Sequence, residues 1–442
     1  MSECEEVQRR MQSKSPNQKK ESVMRGFSRL MMTGKVRQAL KLVDADSEVT
    51  GVHAMNDEIR EVLQRKHPDA EEVQQMAMNQ SEVPVVENVI FEEINASMVI
   101  KSAEKTSGAG GPTRLDAEAW KHILCSKVFG KVSEEFAEAI AATARRLCTD
   151  DIPHIYLRLL WDCRLVPLAK EDNGVRPVGI GETLRRIIGK CVLKITGDDV
   201  QQAAGALQTC AGVESGIEAA IHAMADTFQS DDCEAVILVD AENAFNRVNR
   251  KVALHNIQRL CPALYTYLNN CYKEPARLHL GDRTFIYSKE GATQGDNLAM
   301  AMYALSTREM IDDLKQAAPE TVQVWFADDS ADAGKLRDIQ KWWMRLKEIG
   351  PAYGYFPNAP KCWIILKSPE LRELAEELFG ADGVNITTEG KRHIGAVLGT
   401  EEFREEFVKA KVQKWKNDVH ELSAIAKEEP QAALCAYNVG LC

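Results

Sequence analysis

The residues Ala235-Val-Ile-Leu-Val239 form an unbroken apolar run that stops at Asp240. This is the pattern of a central strand buried on both faces, with its last residue emerging at the end of the sheet. A second segment, TVQVWFADDS at 321–330, alternates Val322, Val324 and Phe326 before two adjacent aspartates. LHLGDRTFIY at 278–287 reads as a hairpin around a Gly-Asp turn, and both segments are expected in one antiparallel sheet with 235–240. Helices over about 250–270, 297–316 and 335–350 separate these strands.

Antiparallel neighbours in such a sheet would bring Asp240 and Asp328 to one edge. Carboxylates that close repel one another and shift their pKa values unless cations stand between them. Two Mg²⁺ ions about 3.5 to 4 Å apart would satisfy them, in a geometry that activates a hydroxyl and stabilises a leaving pyrophosphate. Magnesium suits a site of few carboxylates completed by water and substrate phosphates. Taken alone, an Asp-Asp pair is usually a solvated turn and a strand-end Asp a cap or surface residue, so the neighbouring segments decide.

The 442 residues carry 66 acidic and 55 basic side chains, a formal charge of -11, which argues against a simple basic nucleic-acid-binding module. A hydrophobic share of 45% supports a sizeable core, and the length predicts two to four domains. No stretch reaches the roughly 18–20 apolar residues of a membrane span. The opening MSECEEVQRR is too polar for a signal peptide, so a soluble intracellular protein, nuclear or cytoplasmic, is expected. The cysteines show no zinc or redox spacing, and Cys191, Cys261 and Cys271 read as buried thiols.

Along the chain, residues 1 to about 80 read as short helices, and QSEVPVVEN reads as a linker that sets a boundary near 85. SGAGGP at 107–112 should form an exposed turn, because no strand before it and no Lys-Ser or Lys-Thr after it supports a phosphate loop. Two helices follow between Glu118 and Cys148, and then 163–181 reads as a hairpin around Asp172-Asn173-Gly174, with Lys170 and Arg176 near facing positions.

Several of these segments resemble, in order, the motifs of the reverse transcriptases of non-LTR (LINE-like) retrotransposons. GAGGPTRLDAEAWKHIL at 108–124 and CRLVPLAKEDNGVRPVGIGETLRRIIGK at 163–190 are similar to the fingers and the segment before them. VDAENAFNRVNR at 239–250, EGATQGDNLAM at 290–300 and FADDSADAG at 326–334 resemble three palm motifs, and NAPKCWI at 358–364 and HIGAVLGT at 393–400 the lysine motif and primer grip. The resemblance implies an α+β right-hand polymerase with a ferredoxin-like antiparallel palm. A helical N-terminal extension (1–85) would precede fingers and palm (86–400), and a partial thumb (401–442) would end the chain. KVQKWKNDVHELSAIA at 411–426 would begin that thumb with Val412, Trp415, Val419, Leu422 and Ala426 on one helical stripe. Asn297 stands where many relatives have proline.

The implied activity is RNA-directed DNA synthesis, with RNA template, DNA or RNA primer and deoxynucleoside triphosphates as partners and two Mg²⁺ as cofactor. Asp240 and Asp328 would bind both metals, Asp329 would be the weaker third carboxylate, and Lys361 would protonate the departing pyrophosphate. Lys170 and Arg176 would neutralise the triphosphate, and Gln294 and Gly295 would support nucleotide and template. Phe245 would close against C2′ of the incoming sugar and exclude a 2′ hydroxyl, which speaks against an RNA-dependent RNA polymerase. Ile394, Gly395, Leu398 and Gly399 would hold the primer end. Arg185 and Arg186 could touch template phosphate, although a charged helix face is the plainer account. The competing reading is a catalytically inactive or domesticated relative that binds RNA without polymerising.

Overall fold

The computed structural model describes residues 16–43, 51–170, 174–281 and 284–441. They belong to two compact units: one of Met1–Ala54, Pro167–Arg176 and Glu401–Cys442, the other of Met55–Val166 and Pro177–Thr400. The strands in chain order are β1 (Cys163–Ala169), β2 (Val175–Gly181), β3 (Ala235–Val239), β4 (Ala276–His279), β5 (Phe285–Ser288), β6 (Val322–Phe326), β7 (Asp329–Gly334), β8 (Trp363–Leu366), β9 (Asn385–Thr387), β10 (Gly390–His393) and β11 (Ala396–Gly399).

The larger unit is organised on a sheet of order β6-β7-β3-β8-β9, in which β6, β7, β3 and β8 run antiparallel and β9 lies parallel to β8. Helical connections join β3 to β6 and β7 to β8, so the first four strands follow the βαββαβ order of a ferredoxin-like sheet. The unbroken apolar run of β3 is explained by cover on both faces. Ala235, Ile237 and Val239 enter the main core with the helices Ala299–Ala317 and Leu336–Tyr353. Val236 and Leu238 join Ala331, Ala333, Ile365, Leu398 and Met224 on the opposite face. Each of the larger aliphatic side chains among them, such as Val236, Ile237 and Ile365, contributes about 1.5–3 kcal/mol. The helix Ala299–Ala317 is buried on every side from Ala301 to Thr307, so its pattern has no solvent stripe.

The structure departs from the sequence pattern at three places. The region 250–270 is two helices, Arg250–Leu260 and Pro262–Tyr272, because Pro262 has no N–H to continue the first and instead opens the second. The hairpin β4–β5 is not in the central sheet: it belongs to a sheet of order β2-β1-β4-β5, with β4 parallel to β1. What draws it there is Asp162, buried just before β1, whose carboxylate accepts from the Arg277 backbone N–H (3.1 Å), the Arg277 guanidinium (2.9 Å) and His279 Nε2 (3.2 Å). The glycine run is not simply an exposed turn either. Gly110 and Gly111 are buried, and a Cβ on Gly111 would stand 2.7 Å from the Glu182 backbone nitrogen. Thr113 donates to Glu182 through its N–H (2.8 Å) and hydroxyl (2.7 Å), locking this loop to the start of the helix Thr183–Ala204.

The smaller unit packs Phe27, Leu30, Ala39 and Leu42 of the helices Pro16–Met32 and Val36–Val43 against Leu422, Ile425, Ala433 and Ala436 of the helices Glu401–Ala426 and Pro430–Ala436. The long helix includes the stripe from Val412 to Ala426 and is buried near its C-terminal end, at Leu422 and Ile425, while Trp415 is 60% exposed and Val419 43%. In the same unit Val52 bridges to Leu168, with the Ala169 N–H donating to Gly51 C=O (2.8 Å). The turn residues Asp172, Asn173 and Asp282 lie outside the described residues. Among the described residues no helix is long and apolar enough to cross a membrane. Cys191, Cys261 and Cys271 are buried free thiols, as their surroundings suggested.

Candidate active site

The acidic end of the central sheet is built by register. β3 and β7 pair antiparallel up to Val239 opposite Ser330, and the next step along both strands is Asp240 and Asp329. β6 and β7 are joined by the two-residue turn Ala327-Asp328, closed by Phe326 opposite Asp329. Asp240, Asp328 and Asp329 therefore share one edge of the sheet, with Asp240 and Asp329 exposed and Asp328 half-buried.

The backbone here is held firmly. Ala327 takes the left-handed conformation (φ 55), costly for a residue with a Cβ. Gln208, fully buried, offsets that cost by a two-way clamp: its Oε1 accepts the Ala327 N–H (2.9 Å) and its Nε2 donates to Ala327 C=O (3.2 Å). The Tyr355 hydroxyl donates to Asp328 C=O (3.0 Å), and the Asn358 N–H donates to Asp240 C=O (2.8 Å). Neither Gln208 nor Tyr355 carries a charge or a motif position that would single it out, and Asn358, although it opens the segment that resembles the lysine motif, shows its hold on Asp240 only through the tertiary pairing.

The proximity has an electrostatic consequence. The Asp329 carboxyl is pushed up to about 6, first by partial loss of solvation and then by the neighbouring charges of Asp328 and Asp240. Burial first, and then Asp328, also raises the Tyr303 hydroxyl well above its ordinary range. Among the described residues, no three His, Cys, Asp or Glu side chains stand as a ready metal-holding group, so the trio is an acidic edge and not a closed ligand cage. Its donors are nonetheless oxygen-only and mutually repulsive, the chemistry that a hard divalent cation relieves.

Around this edge the predicted residues distribute unevenly. Phe245 lies on the helical turn Ala244–Arg247, just past Asp240, with its ring half-buried and 4.7 Å from that of Tyr303. Gln294 and Gly295 sit on a loop docked against β2: the Gly179 N–H donates to Gln294 C=O (2.9 Å), and Gly295 (φ 106) comes so near Gly179 that a Cβ would lie 2.6 Å from its carbonyl oxygen. The same loop is anchored by Asp296, whose carboxylate pairs with Arg185 in a fully buried ion pair and accepts the Tyr272 hydroxyl (2.5 Å). Arg185 is thus a structural cation. Arg186 likewise donates to Ser107 C=O and Ala109 C=O (2.6 Å each), so neither arginine is spare for template phosphate. Asn297 fills a notch above Gly189 and donates to Arg186 C=O (3.3 Å).

The grip segment is the hairpin β10–β11, turned by Ile394 (φ 44) and Gly395 (φ 90). Leu398 is buried in the sheet's second core, and Gly399 crosses Gly390 so closely that a Cβ would meet Glu389 C=O at 2.2 Å. Lys361 is exposed at the end of a short turn whose N–H bonds Asn358 C=O (2.7 Å), the residue that also holds Asp240. Lys170 and Arg176 belong to the smaller unit, whereas the carboxylates belong to the larger; the Lys170 N–H closes the hairpin onto Gly174 C=O (2.9 Å) and Arg176 is exposed.

Residues 168–386 match the family described as reverse transcriptase (RNA-dependent DNA polymerase). The chain therefore carries a reverse-transcriptase domain over that span, which includes the acidic edge, Phe245, the Gln294 loop and Lys361, while the β10–β11 hairpin lies beyond it. A search of curated proteins found no match.

Proposed function

We propose that this chain is an RNA-directed DNA polymerase of the non-LTR retrotransposon type, adding deoxynucleotides to a primer 3′ end on an RNA template. The observation that carries the reading is the register: the pair Val239–Ser330 leads directly to Asp240 and Asp329, with Asp328 in the intervening turn. Three carboxylates at one open edge are a poor arrangement for stability, and their mutual repulsion makes sense where cationic chemistry is performed.

Asp240, Asp328 and Asp329 would hold Mg²⁺, which when bound supplies charge neutralisation and hydroxyl activation for nucleotidyl transfer. The chain's own residues do the rest. Phe245, backed by Tyr303, presents an apolar face where a 2′ hydroxyl would need room. Gly295, whose missing side chain lets its loop dock on β2, and Gln294 beside it would support nucleotide and template from that loop. Lys361 stands as the general acid, and Lys170 and Arg176 as the cations for the triphosphate, arginine through a bidentate fork. The hairpin β10–β11 serves as primer grip, and the helix Glu401–Ala426 as the start of a thumb.

Primer extension on an RNA template, with Mg²⁺ or with chelator, tests this reading. Mg²⁺-dependent addition of dNTPs is expected, together with a raised rNTP share in Phe245→Val. Tight RNA binding without any addition would instead select the inactive relative.

A further inference from the structure

The segment that follows the helix Asp57–Arg65 runs across the larger unit as a strap, and it is held by side chains that reach for its backbone. His255 Nε2 bonds to Asn79 C=O (2.9 Å), Asn256 Nδ2 donates to Ala77 C=O (2.8 Å), and Arg259 donates to Ser81 C=O (3.0 Å). These contacts fix the far end of the strap on the helix Arg250–Leu260.

Its near end, Lys66–Glu72, meets the turn that carries Phe245. Asn243 takes the left-handed conformation (φ 51), donates through Nδ2 to Lys66 C=O (2.8 Å), and accepts at Oδ1 from Asn246 Nδ2 (3.0 Å). Arg247 pairs with Glu71 (3.3 Å), and Asn249 donates to Glu72 C=O (3.3 Å). From the opposite side, the Ala292 N–H donates to Phe245 C=O itself (2.7 Å), and Gly291 approaches so closely that a Cβ would stand 2.2 Å from that oxygen. Phe245 thus sits on a four-residue helical turn, too short to be rigid by itself, clasped between the strap and the loop that continues to Gln294.

We propose that the strap is a specificity device: by clasping Asn243, Arg247 and Asn249, residues 66–72 set the position of the Phe245 ring and so the discrimination between deoxy- and ribonucleotides. The inference rests on the polymerase reading and on Phe245 standing beside the incoming sugar. Asn243, Arg247 and Glu71 are positioning residues; none of them touches the substrate. A half-buried ring can admit a 2′ hydroxyl after a shift of a fraction of an ångström, and the strap contacts are what oppose that shift.

The test is single-nucleotide incorporation of a dNTP and the matching rNTP by the full chain, comparing wild type, Asn243→Asp, Glu71→Gln, Phe245→Ala and the double variant Asn243→Asp/Phe245→Ala. Asn243→Asp keeps a residue that tolerates the left-handed backbone and keeps the acceptor for Asn246, but loses the donor to Lys66. It is expected to lower the dNTP/rNTP ratio about tenfold, the kinetic equivalent of one hydrogen bond. Glu71→Gln should lower the ratio in the same direction by a smaller factor, and it carries the test should Asn243→Asp fail to fold. In the Phe245→Ala background the Asn243 change should leave the ratio unaltered, because the ring it positions is gone; a brace with only a structural role would lower dNTP and rNTP use together. Incorporation with an unchanged ratio in the strap variants, or an equal loss with and without Phe245, overturns this inference alone. Absence of incorporation by the wild-type chain overturns the polymerase reading and this inference with it.

Discussion

Asp329 and Asp332 lie three residues apart on β7, and they show two ways for one strand to hold a carboxylate. Asp329, at the open end, is raised to about 6 by partial desolvation and the charges of Asp328 and Asp240. Asp332, inside the core, is fully buried, and among the described residues neither of its oxygens accepts a hydrogen bond; burial first drives it well above the ordinary range, although nearby Thr321 and Lys315 pull the other way. The first shift is one that a bound cation would relieve, whereas the second is a standing cost of the fold. Asp296 supplies a third case, a buried carboxylate whose charge is met by Arg185 and Tyr272. The difference teaches that unsatisfied charge marks function only where it is shared and accessible.

The largest test of that contrast is catalytic. Asp329→Asn should reduce nucleotide addition by about 10²–10³-fold, the scale of losing one charge-stabilising group, while Asp332→Asn should stay within a small factor of wild type in the same assay. Equal losses would erase the distinction.

Next in size is the paired acid. Asp296→Asn leaves Arg185 buried without its counter-charge, and denaturant melts should show a loss of about 3–5 kcal/mol. A loss below about 1 kcal/mol would mean that the pair is not what fixes the Gln294 loop.

Asp332→Asn should move stability the other way, by about 1–3 kcal/mol at neutral pH, because an amide need not be held protonated against an unfolded state in which the carboxyl ionises. A raised carboxyl contributes its stability fully below the unfolded value and loses it as pH rises through the folded one, so the variant's advantage should grow from about pH 4 upward and vanish in acid. A pH-independent difference would contradict the assignment.

The smallest effect concerns Asp329 in the absence of divalent cation. By the same sign rule its contribution is present below about 3.8 and lost as pH rises through about 6. Added Mg²⁺ should therefore raise the melting temperature more at pH 7.5 than at pH 5, and Asp329→Asn should shrink that difference.

The central sheet was legible because its signal is local and strong. The apolar run at 235–239 and the alternation before Asp328 each name a strand, and their shared acidic ends need only antiparallel pairing to meet. The site's supports were not legible, because each depends on a distant partner. Gln208 looks like one glutamine in a Gly- and Gln-rich turn until it clamps Ala327. Arg185 reads as a surface cation until Asp296 appears 111 residues away. The β4–β5 hairpin has the pattern of any hairpin, and only the buried Asp162 assigns it to β1. The residues before 85 read as helices and a linker, yet the backbone of 66–81 is bound by side chains about 177 positions later. The trio of acids follows from sequence; the frame that holds it follows from tertiary structure.

Asp328 stands at the tip of the β6–β7 turn, and single-turnover dNTP addition to a primer annealed on RNA tests its role most directly. Wild-type protein with Mg²⁺ should extend the primer by one nucleotide, and Asp328→Ala, with its melting transition retained, should fall to background. Extension by Asp328→Ala at the wild-type rate would contradict the assignment of this acidic edge as the catalytic centre.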